Sequence, residues 1–240
     1  MAGLMEKCLD EGAADLGIEL DAHSLALFVK YYQILVREND KYNLTSIKGE
    51  RETAIKHFID SLTCLGFIGG DCAFLVDVGS GAGFPGIPIK IMVPGIKLLL
   101  VDSVKKKTDF LKLLVGELGM NGVEVRWDRA ESMGLSEEFR DRADVVVSRA
   151  VAPLNVLVEL CVPLVRVGGA FLAMKGPGVK EELETARRAI SIMGGKVEKV
   201  ERLVLPLLHE ERSLVLIRKT TPSPAGYPRR PGIPAKKPLV

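Results

Sequence analysis

The stretch Leu75-Val-Asp-Val-Gly-Ser-Gly-Ala-Gly-Phe-Pro-Gly86 decides how this chain is read. It begins as a short apolar run and ends where a helix can start, so it is a strand-to-helix turn crowded with glycine. Glycine is needed where a backbone takes a positive φ or where a ligand must come close to the main chain. The helix start behind the turn offers free N–H groups. Pro85 suits the first helical turn, where its missing N–H costs nothing. The dinucleotide fingerprint G-x-G-x-x-G fails, because with Gly79 and Gly81 in its first two places the third falls on Phe84. What stands there instead is an acid followed by alternating glycines, Asp77-x-Gly79-x-Gly81-x-Gly83. A plain turn requires neither so many glycines nor the acid.

Acid plus alternating glycines is the pattern of loops that hold S-adenosylmethionine (SAM). SAM has no pyrophosphate and carries a methionine ammonium, which Asp77 can attract directly or through water. A second apolar run ends in Asp102, 23 residues beyond Gly79. A carboxylate there accepts ribose hydroxyls in NAD and in SAM alike, so it indicates a nucleoside without choosing which. Asp128-Arg-Ala-Glu131 follows the third run. Either the Ala130 backbone and the Glu131 side chain read an adenine edge, or Glu131 simply opens a helix, where its charge suits the dipole.

Outward from the loop, short apolar runs alternate with amphipathic stretches. The runs are 73–78, 97–102, 123–127, 144–148, 170–175, 196–205 and 213–218; the clearest helices between them are 85–92, 103–119, 153–165 and 179–193. Such alternation with near-continuous apolar strands predicts a parallel sheet covered on both faces. Only a short turn separates the last two runs, which forces an antiparallel hairpin, since a parallel return needs a dozen or more residues. The expected fold is α/β: a class I SAM-methyltransferase, Rossmann-like sheet of seven mostly parallel strands ending in that hairpin. Before it, residues 1–65 read as a helical cap. Leu25, Phe28, Tyr32 and Leu35 form a helical stripe that Asp21 can cap. A polar connection from Asn39 to Lys48 leads to a second helix from Arg51 to Leu65. The expected divisions are 1–65, a methyltransferase domain over 66–219, and a C-terminal arm over 220–240.

Composition bounds the partners. The chain has 240 residues, 33 Lys plus Arg and 31 Asp plus Glu, for a net charge of +2. That excludes a histone-like or acidic-tail protein. Yet Arg218, Lys219, Arg229, Arg230, Lys236 and Lys237 leave residues 1–217 at −4, so the basic character sits at the end. The last 21 residues hold six of the 13 prolines, which bars an ordinary helix or central strand there. This segment is either a solvated, disordered end or an extended phosphate-contacting arm. Cys8, Cys64, Cys72 and Cys161 show no CxxC spacing and no clustered histidine, so no metal site is expected. Unpaired thiols suit a reducing interior. No apolar run approaches the roughly 18 residues of a membrane span. A cytoplasmic protein without membrane contact is expected.

Ser148-Arg-Ala-Val-Ala-Pro-Leu154 follows the fourth run, where the methyl acceptor sits in this fold class. It lacks an Asn-Pro-Pro-Tyr type grip for an exocyclic amine, and no cysteine is placed there to attack a pyrimidine. Several segments together carry a more specific resemblance: Tyr42-Asn-Leu-Thr-Ser-Ile47, His57-Phe-Ile-Asp-Ser-Leu62, the Val76–Pro88 loop, Asp102-Ser-Val-Lys-Lys-Lys107, Val147-Ser-Arg-Ala-Val151, Met174-Lys-Gly-Pro177 and the basic Pro-rich end. Over nearly its whole length the chain resembles the small-subunit ribosomal RNA guanine-N7 methyltransferases, the RsmG or GidB family. Phe84 stands where many of those relatives have leucine, which keeps an apolar contact.

The resemblance implies SAM as donor and one guanine of the decoding-region loop of 16S rRNA as acceptor, in free rRNA or in the small ribosomal subunit. It implies cofactor contacts at Gly79, Phe84, Ala130, Glu131 and Arg149 and along Asp102, Ser103 and Val104. Guanine N7 has a free lone pair beside O6, so no general base is assigned and the protein's task is to orient and hold the reactants. Because N7 must stay open, Arg149 is expected to position the guanine through O6 or a phosphate, or to brace the cofactor; a rim salt bridge is the bland reading. Lys175 is expected on RNA phosphate, against a solvated lysine before a turn. Arg229, Arg230, Lys236 and Lys237 are expected to supply salt-sensitive RNA affinity. Lys105, Lys106 and Lys107 open a helix where cations are disfavoured, which favours a function for them. His57, Tyr31 and Tyr32 are read chiefly as packing residues of the cap. The chain is expected to act as a monomer. The competing readings are a methyltransferase for another RNA position or a small molecule, a non-catalytic assembly factor that keeps the fold, and a dehydrogenase, which Phe84 and the hairpin disfavour.

Overall fold

Helix α1 (Leu4–Asp15) and helix α2 (Ala22–Tyr42) open the structure, a computed structural model that describes residues 3–240. Asp21 caps α2 as its sequence predicts: Oδ1 accepts the Ser24 N–H at 2.7 Å. The helix buries Phe28, Tyr31, Ile34 and Leu35, while Leu25 and Tyr32 are half-buried. It runs on to Tyr42, and Asn43 closes it at φ 52. The expected polar connection therefore starts four residues late. The reason is local: Asn39 uses its side-chain oxygen to accept the Leu44 and Thr45 N–H groups at 3.0 Å each, which fastens the loop to the helix end. A continuous helical stretch follows as α3 (Glu50–Thr53), a π-helical segment (Ala54–Ile59) and α4 (Asp60–Leu62). The wider π segment carries His57.

The sheet then builds in the predicted alternation: β1 (Phe74–Val78), α5 (Gly86–Met92), β2 (Lys97–Asp102), α6 (Lys105–Leu118), β3 (Val123–Trp127), α7 (Ala130–Met133), β4 (Ala143–Arg149), α8 (Leu154–Cys161), β5 (Val165–Lys175), α9 (Val179–Ile192), β6 (Gly195–Val204) and β7 (Glu211–Lys219). Strand order is β3-β2-β1-β4-β5-β7-β6. The first five strands are parallel, and β7 runs antiparallel to both β5 and β6. Pro85 stands one residue ahead of α5, at its cap, rather than inside the first turn.

Side chains alternate across a strand, and the sheet divides its apolar residues accordingly. Leu75, Leu98, Leu100, Val145, Val147 and Leu172 join one core with residues of α1, α2, α5 and α6. Val76, Val78, Leu99, Val101, Val146 and Phe171 join the other, with residues of α7, α8 and α9. The N-terminal helices therefore share a core with the sheet. Residues after β7 pack back as well, ending in α10 (Ile233–Lys236). The order reverses at β1, between β2 and β4, and ligands of open α/β sheets sit outside the strand ends at such a switch point.

Candidate active site

A cleft of about 400 Å³ opens at that point, within the size range of small-molecule sites. Its floor is the glycine loop. Gly79 takes φ +76, and a Cβ there would stand 2.3 Å from Val151 Cγ2. Gly81 takes φ +58, and a Cβ there would meet only the Gly79 carbonyl oxygen, at 3.9 Å. The loop thus turns in a conformation that L side chains resist and leaves its backbone bare toward the cleft.

All of the expected cofactor residues line the cleft except Asp77 and Gly83. Strand alternation explains the first exception. Asp77 lies on the same side of β1 as Leu75, under α5 and fully buried, where Oδ2 accepts the Gly86 N–H at 2.9 Å. It does not line the cleft, so the expected direct contact to an ammonium is corrected to a support beneath the loop, and of the two expected routes only the one through water is left to it. Burial pushes its pKa up to about 7, and its Oδ1 has no partner among the described residues. Gly83 is a glycine for packing: a Cβ would press on Tyr31 Oη at 2.6 Å. That hydroxyl donates to the Ala82 carbonyl at 2.5 Å, so α2 anchors the loop. Tyr31 does more than fill the helical cap.

On the β2 and β3 side, Asp102 is buried and holds two backbone N–H groups, from Gly81 at 2.9 Å on Oδ2 and Val104 at 2.8 Å on Oδ1. Each carboxylate oxygen keeps a second lone pair for a hydroxyl. Lys107 stands 3.9 Å from Asp102 Oδ2 and lines the cleft. Ser103, Val104, Ala130 and Glu131 complete this end. One Glu131 oxygen already accepts the Gly232 N–H at 2.9 Å, from the C-terminal segment.

On the β4 side, the Arg149 guanidinium donates to the Lys56 carbonyl at 3.0 Å, to Asp60 Oδ2 at 2.9 Å and to His57 Nδ1 at 3.1 Å. It lies 5.1 Å from the centre of the Phe84 ring. The His57 ring stacks on Phe84 at 4.3 Å and 11°. Burial, with the Arg149 charge added, pushes the His57 pKa down to about 3, so the imidazole is neutral. Its Nε2 is 2.9 Å from Thr45 Oγ1. His57 both packs and lines the cleft, together with Leu44 and Thr45. Ala150, next to Arg149, holds a left-handed φ of 56, an unusual conformation for a residue with a Cβ. Among the cleft-lining residues on this side, none carries a carboxylate.

The family model described as GidB, rRNA small subunit methyltransferase G, matches residues 24–215. The chain belongs to this family. It is 47% identical over 237 residues to the Ribosomal RNA small subunit methyltransferase G of Pelotomaculum thermopropionicum, covering 98% of this chain and 99% of that one. It is also 47% identical to the protein of that name from Carboxydothermus hydrogenoformans, covering 98% and 100%. Among solved structures, cofactor-bound Rv0187 from MTB aligns with a TM-score of 0.58 at 17% identity, over 80% of this chain and 91% of that one. The ribosomal protein L11 methylase of Lactobacillus delbrueckii subsp. bulgaricus aligns at 0.51 and 14%, over 72% and 81%. The fold is that of the class I SAM methyltransferases, and the family acts on small-subunit rRNA.

For a GidB-family chain, two expected RNA contacts need correction. Lys175 is turned inward: its ammonium bonds Glu182 Oε2 at 2.7 Å and the Ala152 carbonyl at 2.9 Å, and its side chain is 10% exposed. Glu182 also accepts the Leu154 N–H at 2.7 Å, so the lysine serves the start of α8. Arg229 is bound to Glu159, whose side chain is 1% exposed: its N–H and Nε reach Oε1 at 2.9 and 2.8 Å, and Nη2 reaches Oε2 at 2.6 Å. A buried carboxylate requires such a partner. The arm is accordingly a docked strap, held also by Arg140 on the carbonyls of Ser223 and Tyr227 at 2.6 Å each. Arg230, Lys236 and Lys237 remain exposed, with no ion pair among the described residues. Lys105 pairs with Asp109 at 3.0 Å. Arg129 lines the cleft and is exposed, a cation the sequence analysis passed over inside a quoted motif. No group of three or more His, Cys, Asp or Glu is placed to hold a metal among the described residues, and no helix there is long and apolar enough to cross a membrane.

Proposed function

We propose that this chain transfers a methyl group from SAM to N7 of a single guanine in the decoding-region loop of 16S rRNA, without a general base. The residues present suit SAM. Gly79 and Gly81 leave bare backbone on the cleft floor. Asp102 keeps acceptor capacity for ribose hydroxyls, while Ala130 and Glu131 stand beside it for the adenine. Phe84 supplies an apolar wall. Bound there, SAM would supply an electrophilic methyl on a sulfonium, which a lone pair such as that of N7 could take while the carbon–sulfur electron pair went back to sulfur and no proton had to leave.

The observation that carries the acceptor reading is the chemistry of the β4 side. An amine or hydroxyl acceptor would need a group to take its proton. His57 cannot serve, because its one lone pair already faces an Arg149 N–H at 3.1 Å. No carboxylate lines that wall. Guanine N7 needs no such group, so orientation and proximity suffice. Arg149 braces the wall through Asp60, His57 and Lys56 and keeps a fixed positive charge near Phe84. Arg129, Arg230, Lys236 and Lys237 are exposed and carry no ion pair among the described residues, and with Lys107 at the cleft they are the cations this reading sets against RNA phosphate.

The test is to map N7-methylguanine in 16S rRNA from cells with and without the gene, by cleavage at the modified base. One guanine should lose its methyl group in the deletion and regain it with the wild-type chain. An unchanged modification map refutes the proposal.

A further inference from the structure

The loop that follows α2 carries the Thr45 hydroxyl, and the contacts around it argue which way its proton points. Arginine has only donors, so the His57 Nδ1 atom that faces Arg149 Nη2 at 3.1 Å must accept. The neutral ring therefore carries its proton on Nε2, and that N–H donates to Thr45 Oγ1 at 2.9 Å. The Ile47 N–H donates to the same oxygen at 3.0 Å. A threonine hydroxyl has two lone pairs and one proton. Both lone pairs are now occupied, and the O–H has no acceptor among the described residues. Thr45 lines the cleft. Through His57 and Arg149 it belongs to the β4 side. Asn39 fixes the loop by accepting the Thr45 N–H and donating to the Thr45 carbonyl, both at 3.0 Å.

We propose that Thr45 is the specificity-determining donor for the acceptor base, its O–H bonding O6 of the guanine while N7 stays open. The inference rests on the N7 reading above. Guanine shows two adjacent acceptors on this edge, N7 and O6. A guanidinium fork grips both and would block the reacting lone pair. Arg149 is withheld from that grip by its bonds to Asp60, His57 and Lys56. A hydroxyl has a single proton and can mark O6 alone. It is also uncharged, so it does not repel the positive charge that develops on the purine. Adenine offers an N6 amine in place of O6. An O–H whose lone pairs are both filled cannot accept from that amine, so Thr45 discriminates against adenine.

The experiment measures kcat/KM for wild type, Thr45→Val and Thr45→Ser on RNA assembled in the form the wild type methylates. The target position carries guanine, 2-aminopurine, which lacks O6, or inosine, which keeps O6 and lacks the 2-amine. Thr45→Val should lose about tenfold on guanine and on inosine, the worth of one hydrogen bond. On 2-aminopurine it should match the wild type within about twofold, because the bond is already missing. Thr45→Ser should keep wild-type rates. SAM affinity by calorimetry should be the same in all three. If the valine variant loses as much on 2-aminopurine as on guanine, Thr45 only shapes the loop and the assignment is overturned. A methyl found on an atom other than N7 overturns the function reading, and this assignment with it; N7 methylation with multiplying losses overturns the assignment alone.

Discussion

Replacing Arg229 by alanine separates a docked strap from an RNA arm. Glu159 is 1% exposed and receives three bonds from Arg229, at 2.6–2.9 Å. Removing the guanidinium leaves a carboxylate buried with one backbone N–H. Breaking a buried pair from one side costs about 3–5 kcal/mol. For a chain of this size each kcal/mol lowers the melting temperature by about 2–4 °C, so Arg229→Ala should melt roughly 6–20 °C below wild type by calorimetry. The paired replacement Glu159→Gln with Arg229→Met removes both charges and should recover most of that loss. RNA binding measured over a salt series should keep its slope in Arg229→Ala at temperatures where the protein is folded. An arm residue on phosphate would behave in the opposite way, lowering the salt slope by about one without changing stability. An unchanged melting temperature with a reduced slope refutes the strap. Deleting 220–240 is a poor test of RNA binding for the same reason, since it also strips Gly232 from Glu131. The arm's RNA role is tested by neutralising Arg230, Lys236 and Lys237 together, which should reduce the slope and leave SAM affinity intact.

Asp77 has a raised pKa, so the native state binds the proton more tightly than the unfolded chain, and its contribution to stability falls as pH rises from about 4 to about 7. Asp77→Asn should remove that slope: urea unfolding at pH 5 and pH 8 should show wild type losing roughly 3 kcal/mol more than the variant, and equal pH dependence would refute the buried-acid account. Gly79→Ala places a Cβ 2.3 Å from Val151 Cγ2 at φ +76; SAM affinity should drop at least about tenfold, from a left-handed penalty of about 1–2 kcal/mol plus the clash, and unchanged heats of binding would sink the cradle. Lys175→Ala should leave the RNA salt slope unchanged and cost about 1 kcal/mol or less, because Glu182 is 32% exposed and keeps the Leu154 N–H; a slope reduced by about one would restore the lysine to the RNA surface.

Local chemistry was legible in the sequence and long-range pairing was not. β2 and β3 match the apolar runs residue for residue, and the terminal hairpin follows from a turn too short for a crossover. Buried parallel strands write themselves as apolar runs, so little else competes with that signal. The glycine floor and Asp102 were readable for the same reason: they lie in one or two short segments. Lys175 and Arg229 were misread because a cation in a sequence shows its charge but not its partner. Glu182 lies on the next helix, and Glu159 is 70 residues from Arg229. Asp77 was misplaced because the pattern names the acid but not the face of β1 it occupies. Thr45 sat inside a quoted motif without a role, since its meaning depends on His57 and Arg149, each on a different element.

The helical extension is better understood as one wall of the candidate site than as a cap upon it. The sheet alone supplies the glycine loop, Asp102 and the Ala130–Glu131 end of the cleft. What distinguishes the β4 side comes from residues before the sheet. Tyr31 holds the Ala82 carbonyl and requires Gly83 to be bare. His57 stacks on Phe84, and Asp60 fixes Arg149. Each contact joins the extension to a residue of the loop or of the β4 end, so the two parts cannot relax separately. On the proposed reading, in which the β4 side receives the acceptor, substitutions at Tyr31 or Asp60 should disturb its positioning through the wall they support, although neither side chain lines the cleft. The methyl transfer proposed above needs no proton acceptor, and such a reaction gains most from rigidity, because its rate depends on where two atoms are held rather than on a titrating group.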